Sequence, residues 1–377
     1  MTEMEMRVPL SSPDISELEI RYVTDVLKTP HLSLGPKLPE FEARMAGFIG
    51  AKHVVAVNSG TSALHLIVRA LGIRDGDEVI TTPFSFIASA NCLLFERATP
   101  VFVDIDPATM NMDVDRIEER ITRKTKAILA VDVFGYPARW DRLAEIAGKH
   151  GLTLIEDSCE AIGAVYKGRK AGTFGDAAAL AFYPNKQMTT GEGGVVLTND
   201  DEIASLCRSM RNQGRGEGGG WLEHERLGYN YRLSDVNCAL GIAQLERIEE
   251  LLSKRQAVAR MYEERLKDWK EVRLPHSSSE AVRSWFVYVV TLKDEYSKRQ
   301  RDEILQRLKE RGIGCSNYFA PIHLQPFYAR MFGFKKGDFP VTEHVSERTM
   351  ALPFYNNLGA SDIDLVVDNL KEVVRHL

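Results

Sequence analysis

The chain has 377 residues, of which 44% are hydrophobic and 27% are charged, and its formal net charge is -5. This composition is typical of a globular protein and argues against a disordered chain or one with a broad basic face for nucleic acid. A chain of this length exceeds the size at which one hydrophobic core usually stops growing. We therefore expect a large domain with a smaller companion.

The amino-terminal residues and the cysteines carry no targeting or metal signal. The segment MTEMEMRVPLSSPD contains acids and lacks an apolar run long enough for a signal peptide, and no stretch approaches the roughly 20 apolar residues of a membrane span. The five cysteines lack metal-ligand spacing, and their odd number argues against a disulfide framework. We expect a cytoplasmic protein with reduced cysteines and with neither a nucleic acid nor a membrane as partner.

Short β-branched runs alternate with helical patterns through the first 200 residues. The runs are HVVAVN, DEVITT, PVFVDI, KAILAVDVF, LTLIED, AAALAFY and GVVLTN. Such alternation is typical of an α/β domain with a mostly parallel sheet covered by helices on both faces. We assign residues 1–245 to this large domain. The stretch GRGEGGG at 214–220 is typical of a mobile loop.

The pattern changes in the last third of the chain. One long helical pattern covers 239–269, and its length suits a connector between domains. A strand in SWFVYVVTL, a helix around RDEILQRLKERG that ends at Gly312, and a closing helix with Ser361 as its N-cap follow. We assign 246–377 to the connecting helix and a small carboxyl-terminal α+β domain.

Two predicted strands end in residues suited to binding an anion and a cation. In NSGTS, Gly60 permits a tight turn, and Thr61 and Ser62 place hydroxyls beside the free N–H groups of a helix start, a natural phosphate cradle. In LTLIED, Glu156 and Asp157 lie at the carboxyl end of an apolar strand, where ligands of open α/β sheets bind. Capping of the following helix explains either segment equally well.

A lysine follows the end of a third predicted strand, in AFYPNKQMTTGEGG. Lys186 is either a solvated strand-end lysine, since most lysines are exposed, or an amine that forms an imine with a carbonyl cofactor. A phosphate cradle, a carboxylate and a lysine together match the needs of pyridoxal 5′-phosphate: a helix start for its phosphate, an acid for its ring nitrogen and an amine for its aldehyde. Phe84 and Phe86 are candidates to stack on the ring, with core packing as the alternative.

The order of several motifs resembles that of one enzyme family. NSGTSAL, TPFSFIASAN, PVFVDID, IEDSCEAIGA, FYPNKQMTTGEGG and GYNYRLSD are similar to segments of the DegT/DnrJ/StrS sugar aminotransferases, over essentially the whole chain. The family has the fold-type-I architecture of pyridoxal-phosphate enzymes. The resemblance implies an aminotransferase that uses pyridoxal 5′-phosphate to move an amino group, with L-glutamate as expected donor, onto a nucleotide-linked keto-sugar in amino-sugar or polysaccharide biosynthesis.

The same resemblance implies roles for individual residues. Lys186 becomes the Schiff-base lysine and proton shuttle, Asp157 the partner of the pyridinium nitrogen, and Phe86 the aromatic that stacks on the ring. Three consecutive residues match the phosphate cradle: Gly60, Thr61 and Ser62. Asn230 of GYNYR matches an asparagine that reaches the phosphate from the neighbouring subunit, which implies a homodimer with shared active sites.

Two positions near the cofactor depart from the family pattern. Glu160 stands where many members carry Gln or His near the 3-oxygen of the cofactor, so its role is open. Ala181, five residues before Lys186, replaces a serine that many members use as a further phosphate ligand. The cradle is therefore expected to have one hydroxyl fewer.

The substrate side of the site is less defined by sequence. The segment CSNYFAPIHLQPFY resembles a family segment that supplies an aromatic and a histidine to the sugar, which points to Tyr318 and His323. Tyr183 and Arg232 lie beside motif residues and are candidates to face the sugar or its phosphates. A structural histidine and a structural ion pair are the alternatives for His323 and Arg232.

Three other functions compete with the aminotransferase. Dehydratases of the same family use the pyridoxamine form and carry a histidine in place of the lysine, so Lys186 argues against them. A non-catalytic regulatory homologue has no need of Lys186, Asp157 and the cradle together. A pyridoxal-phosphate lyase of this fold shares the lysine and aspartate but lacks GYNYRLSD and the aromatic-histidine loop.

Overall fold

The computed structural model describes residues 6–216 and 222–377, which form a large α/β part and a smaller α+β part. In chain order, the strands of the described residues are β1 (His53–Val57), β2 (Glu78–Thr81), β3 (Thr99–Phe102), β4 (Thr125–Val131), β5 (Thr153–Asp157), β6 (Val165–Tyr166), β7 (Arg169–Lys170), β8 (Ala177–Ala181), β9 (Gly194–Thr198), β10 (Val272–Arg273), β11 (Ala281–Val282), β12 (Tyr288–Leu292) and β13 (Thr349–Leu352).

The α-helices of the same residues are α1 (Glu17–Leu27), α2 (Lys37–Ile49), α3 (Gly60–Ala70), α4 (Ala88–Phe95), α5 (Trp140–His150), α6 (Asp201–Arg211), α7 (Asp235–Glu246), α8 (Ile248–Leu266), α9 (Lys298–Glu310), α10 (Pro326–Phe332), α11 (Pro340–Ser346) and α12 (Ala360–Arg375). Short 3-10 helices cover Val114–Arg116, Glu118–Arg120, Val133–Gly135 and Ile322–Leu324. Over the described ranges, no helix is both long enough and apolar enough to cross a bilayer.

A seven-stranded sheet forms the centre of the large part. Within the described residues its order is β1-β9-β8-β5-β4-β2-β3, and β9 runs antiparallel to both of its neighbours while the other neighbouring pairs are parallel. Each of the seven apolar runs in the first 200 residues overlaps one of these strands. The prediction of an α/β fold with a mostly parallel sheet is therefore confirmed.

Helices cover both faces of this sheet. Val55 and Val57 of β1 pack in a cluster with α3 and α6, whereas Val54 and Ala56 pack with α2 and α7. This alternation follows from the two-residue period of a strand, which sends successive side chains to opposite faces. Burial on both faces explains why the strands are apolar along their whole length.

The small part is built on a three-stranded antiparallel sheet, β10-β12-β13, packed against α8, α9 and α12. The predicted strand in SWFVYVVTL is β12, and the predicted helix before Gly312 is α9. Val8 from the amino-terminal segment also packs in this cluster and pairs with Ile313. The first residues thus contact the small part, a contact that the division at 245/246 does not anticipate.

The helix predicted over 239–269 is two helices, α7 and α8, which meet at Arg247. The guanidinium of Arg247 donates to Oε1 of Glu19 at 2.9 Å and to Oδ1 of Asp14 at 3.0 Å. These ion pairs fix the junction against the amino-terminal segment. The break lets α7 pack within the large part while the end of α8 packs on the small sheet.

Two smaller predictions have different outcomes. The closing helix α12 begins one residue before Ser361, and Gly359 is its N-cap, without a side-chain hydrogen bond. Ser361 is therefore inside the helix and does not cap it. Of the predicted mobile loop at 214–220, residues 217–220 lie outside the described residues.

Candidate active site

A cavity of about 640 Å³ lies where several parallel strands end. It is bordered by the start of α3, the ends of β4, β5 and β8, and the loops before β12 and after α9. Its position agrees with the rule that ligands of open α/β sheets bind outside the carboxyl ends of the strands. The residues that line it are Ser59, Gly60, Thr61, Leu64, Ser85, Phe86, Ala88, Ser89, Val131, Asp157, Cys159, Glu160, Ala181, Tyr183, Asn185, Lys186, Glu192, Gly193, Phe286, Asn317, Tyr318 and Phe319.

The start of α3 faces this cavity through Ser59, Gly60 and Thr61. Ser59 is the N-cap, and its hydroxyl accepts a hydrogen bond of 3.0 Å from the N–H of Ser62. The Ser62 hydroxyl is buried and donates at 2.6 Å to Oδ1 of Asn58, so Ser62 does not line the cavity. Sequence reasoning missed Ser59, although serine directly before a helix start is a common N-cap.

Gly60 lets the start of α3 lie against the end of β8. A Cβ atom at this position would lie 2.7 Å from Cβ of Ala181 and 2.9 Å from Sγ of Cys159, both closer than normal contacts. The first N–H groups of the helix therefore border the cavity without an intervening side chain. Such groups, together with the positive end of the helix dipole, bind phosphate groups.

Asp157 brings a buried carboxylate to the cavity from the end of β5, where it is 3% exposed. Its Oδ2 accepts a hydrogen bond of 2.7 Å from the Ser89 hydroxyl, and its Oδ1 accepts one of 3.2 Å from the N–H of Cys159. Ser89 in turn shares a hydrogen bond of 2.8 Å with Ser85. These contacts fix the orientation of the carboxylate toward the cavity.

The neighbouring carboxylate has a structural role. Glu156 is fully buried, and it accepts hydrogen bonds from the N–H groups of Gly172, Phe174 and Gly175. Successive residues of a strand lie on opposite faces, so Glu156 is directed away from the side on which Asp157 lines the cavity. Of the two acids at this strand end, Asp157 is the one available to a ligand.

Lys186 is not a solvated lysine, because only 12% of its side chain is exposed. Its Nζ lies 3.8 Å from Oε1 of Glu160 and 3.8 Å from the ring centroid of Phe286. The N–H of Lys186 also donates to the carbonyl of Tyr183 in a tight turn that follows β8. The amine is thus held in the cavity wall between a carboxyl group and an aromatic face.

Glu160 completes this part of the wall. Its Oε2 accepts a hydrogen bond of 2.8 Å from the N–H of Phe134. Burial raises the pKa of Glu160 above its ordinary value, and the nearby Lys186 partly offsets that rise. The structure therefore places beside the lysine a carboxyl group whose pKa is raised by burial.

Aromatic side chains surround the remaining space. Phe86 and Tyr183 line the cavity and are 61% and 51% exposed, so they form its open side. Tyr318 lines the inner wall and stacks on Phe286 with ring centroids 6.4 Å apart. Sequence reasoning missed Phe286, because a phenylalanine in an apolar strand pattern gives no signal that separates a cavity wall from a core.

Besides Ser62, three predicted site residues, His323, Asn230 and Arg232, are not among those that line the cavity. His323 is fully buried, its Nε2 lies 3.0 Å from Oε1 of Glu343, and its ring packs against Phe339. That burial removes it from any substrate in the cavity, which corrects its predicted role. Asn230 is exposed, and Arg232 donates at 3.1 Å to Oδ1 of Asn212.

Comparison with known proteins identifies the family. The model of the DegT/DnrJ/EryC1/StrS aminotransferase family matches residues 13–371. The chain belongs to this family. It is 38% identical over 376 residues to GDP-perosamine synthase of Caulobacter vibrioides, with 98% of each chain covered. It is 37% identical over 378 residues to SpsC of Bacillus subtilis, a spore coat polysaccharide biosynthesis protein, with 98% of this chain and 97% of SpsC covered.

A solved structure agrees with this assignment. Spr1654 from Streptococcus pneumoniae, in its PMP form, matches with a TM-score of 0.93 and 28% identity, over 98% of this chain and all of the other. The protein is accordingly a pyridoxal-phosphate-dependent aminotransferase of fold type I, as the motifs predict.

The cavity of this DegT/DnrJ/EryC1/StrS aminotransferase fits the cofactor. The start of α3, with Gly60 between two hydroxyl side chains, suits the phosphate, the buried carboxylate of Asp157 suits a protonated ring nitrogen, and the enclosed amine of Lys186 suits the aldehyde. Ala181 lines the cavity beside Gly60 without a hydroxyl. The groups that this helix start presents to the cavity are therefore its backbone N–H groups and the hydroxyls of Ser59 and Thr61.

Proposed function

We propose that this aminotransferase transfers an amino group, with L-glutamate as donor, to the keto group of a nucleotide-linked sugar. The observation that carries the proposal is the enclosed amine of Lys186 in a cavity that also contains the Asp157 carboxylate and the start of α3. The name of the Caulobacter relative refers to a GDP-linked sugar, and that of SpsC to polysaccharide biosynthesis. The first name supports a nucleotide sugar as substrate, and the second supports a role in polysaccharide biosynthesis.

Each residue of the site has a proposed task. When bound, pyridoxal phosphate supplies the aldehyde that takes up the amino group and a ring that stabilises negative charge at the reacting carbon. Lys186 holds the aldehyde end and later moves a proton at the reacting carbon with its Nζ. Asp157 accepts a hydrogen bond from the ring nitrogen and keeps that nitrogen protonated.

The remaining residues orient the reactants. The N–H groups at the start of α3 and the hydroxyls of Ser59 and Thr61 bind the phosphate. Phe86, at the open side of the cavity, packs on the cofactor ring, and Tyr183 and Tyr318 contact the sugar. The carboxyl group of Glu160, 3.8 Å from Nζ of Lys186, helps to hold the lysine side chain in the cavity. Arg232, outside this cavity, stays a candidate for the phosphates of the substrate.

The site is proposed to be shared between the subunits of a homodimer. Asn230 is exposed and lies two residues before Arg232, which pairs with Val57 at the end of β1. Its side chain is therefore free to enter the site of a second subunit. Several large apolar side chains near the amino terminus are also exposed, as expected for a surface that a partner covers. They are Ile15, Ile20, Leu27, Leu32 and Leu34.

The decisive experiment incubates the purified enzyme with a panel of nucleotide-linked keto-sugars and L-glutamate. Mass spectrometry is expected to detect one amino-sugar product and an equal amount of 2-oxoglutarate. The Lys186→Ala variant is the control and should give neither. If 2-oxoglutarate forms but no amino sugar appears anywhere in the panel, the assignment as an aminotransferase stands and the proposal of a nucleotide-sugar substrate is overturned.

The lysine is tested separately. Borohydride reduction of the holoenzyme, followed by peptide mapping, should place a phosphopyridoxyl label on Lys186. A label on another lysine would overturn the assignment of Lys186, whatever the substrate is.

A further inference from the structure

A buried arginine lies directly behind the cofactor lysine. Arg255, on α8, is 1% exposed. Within the described residues, the hydrogen bonds of its guanidinium go to four backbone carbonyls. One terminal nitrogen donates to the carbonyls of Lys186 at 2.7 Å and Asn185 at 3.4 Å, and the other to those of Phe286 at 3.1 Å and Trp285 at 3.3 Å.

This arrangement is unusual for a buried cation. A buried charge is costly unless it is paired, and most buried arginines have a carboxylate partner. Burial lowers the pKa of Arg255 to about 9, which still leaves the guanidinium charged at neutral pH. Its fork binds two peptide segments that are about 100 residues apart in the chain, so the guanidinium links their backbones.

The two linked segments carry the amine and the ring that faces it. Lys186 Nζ lies 3.8 Å from the centroid of the Phe286 ring. We propose that Arg255 is a positioning residue that fixes the backbone of Lys186 against that of Phe286 and so holds the amine in the cavity. This inference rests on the proposed role of Lys186 as the lysine that binds the cofactor.

The consequence for the reaction is geometric. With its peptide fixed by Arg255, the lysine moves between its cofactor-bound and free positions by rotation of its side chain alone. Productive geometry in an active site depends on such fixed attachment points, and a displacement of about 1 Å can cost about 100-fold in rate. Arg255 touches neither the amine nor the cavity, so it acts only through the backbone.

The first readout is the rate at which the apoenzyme binds added pyridoxal phosphate covalently, followed by absorbance. The second is the position of the label, located by borohydride reduction and peptide mapping. The variants are Arg255→Met, which removes all donors, and Arg255→Lys, which keeps the charge but cannot bind two pairs of carbonyls. The matched control is Arg301→Met. Arg301 is also buried, at 2%, and donates to the carbonyls of Ser346 and Thr349 and to Oδ1 of Asp302, away from the cavity.

Arg255→Met is expected to slow covalent binding roughly 10- to 100-fold and to spread the label to other lysines, with Arg255→Lys intermediate. Arg301→Met should match the wild type in both readouts despite a similar loss of thermal stability. If Arg255→Met does not fold, Arg255→Lys decides. The inference is overturned if a folded Arg255 variant binds the cofactor as fast as Arg301→Met does and carries the label on Lys186 alone.

The two levels of failure are distinguishable. Absence of a label on Lys186 in the wild-type enzyme would overturn the proposed role of that lysine, and the inference with it. A normal label in the wild type together with an unchanged Arg255→Met variant would overturn only the role of Arg255.

Discussion

Nζ of Lys186 lies 3.8 Å from Oε1 of Glu160, and the two side chains are 12% and 6% exposed. Water is therefore a minor partner for either group, and the charge of the lysine acts on the pKa of Glu160. Burial raises the pKa of Glu160 although the lysine opposes this change. A carboxyl group at this position differs from a glutamine because it can hold or release a proton, and from a histidine because its deprotonated form is negatively charged.

Glu160→Gln should change how stability depends on pH. The pKa of Glu160 is raised in the folded state, whereas its ordinary value of 4.5 applies in the unfolded state. Above pH 4.5 the unfolded state therefore releases this proton more readily than the folded state does. The free energy of unfolding consequently falls as the pH rises. Glutamine does not titrate, but its side-chain oxygen can still accept the hydrogen bond from the N–H of Phe134. Relative to wild-type apoenzyme, the variant should therefore gain stability from pH 4.5 to pH 8 in urea unfolding. A difference that does not change with pH would contradict this explanation.

Asp157→Asn should keep the fold but slow the half-reaction with the amino donor. A lost hydrogen bond to a charged group accounts for about 1.5–3 kcal/mol, or roughly 10- to 100-fold, and loss of the proton on the ring nitrogen should add to this. Single-turnover kinetics measures the effect. Ser89→Ala, which removes only the hydroxyl bound to Oδ2, is the control and should cost less. Near-normal turnover in Asp157→Asn would exclude Asp157 as the partner of the ring nitrogen.

Gly60→Ala should weaken cofactor binding and reduce stability by about 1–3 kcal/mol, because the added methyl group overpacks against Ala181 and Cys159. Gly47→Ala is the matched control. Gly47 lies within α2 with open space around it, so alanine there should raise stability by about 0.5–1 kcal/mol. Thermal unfolding and a cofactor titration check both variants. Equal cofactor affinity in the two would argue against the start of α3 as the phosphate site.

A shared active site predicts complementation between two inactive variants. Asn230→Ala and Lys186→Ala should each be impaired alone. Mixed under subunit exchange, they should form hybrid dimers in which one site carries both changes and the other is intact. Each hybrid should then recover about half of the wild-type activity, since one of its two sites is complete. Subunit exchange without recovered activity would show that Asn230 acts within its own chain.

His323→Gln should affect stability without affecting substrate binding. Burial lowers the pKa of His323, so below about pH 6.5 the unfolded state takes up a proton more readily and the free energy of unfolding falls with falling pH. Glutamine should make this fall shallower, as followed by urea unfolding between pH 5 and pH 8. The KM for the sugar should stay unchanged, and a several-fold rise would restore His323 as a substrate contact.

Local patterns in the sequence predict much of the fold and part of the site. The seven strands of the central sheet are correctly placed because strands buried on both faces are continuous apolar runs, which a single sequence shows directly. The cavity is also predicted by local patterns, because Gly60, Asp157 and Lys186 each follow or end a strand. The carboxyl ends of parallel strands lie on one edge of a sheet, so these residues are expected to meet there. The helix break at Arg247 is not visible in this way, because ion pairs to distant residues fix it.

The sequence by itself determined the sheet, the family and the polar residues that suit pyridoxal phosphate, because these depend on periodicity and on motifs of consecutive residues. Only the tertiary structure gave Glu156 its backbone partners, turned the Ser62 hydroxyl away from the cavity and buried His323. It alone brought Phe286 and Arg255 to Lys186. The physical reason is that burial and hydrogen-bond partners arise from packing between segments far apart in the chain, which residue spacing does not encode.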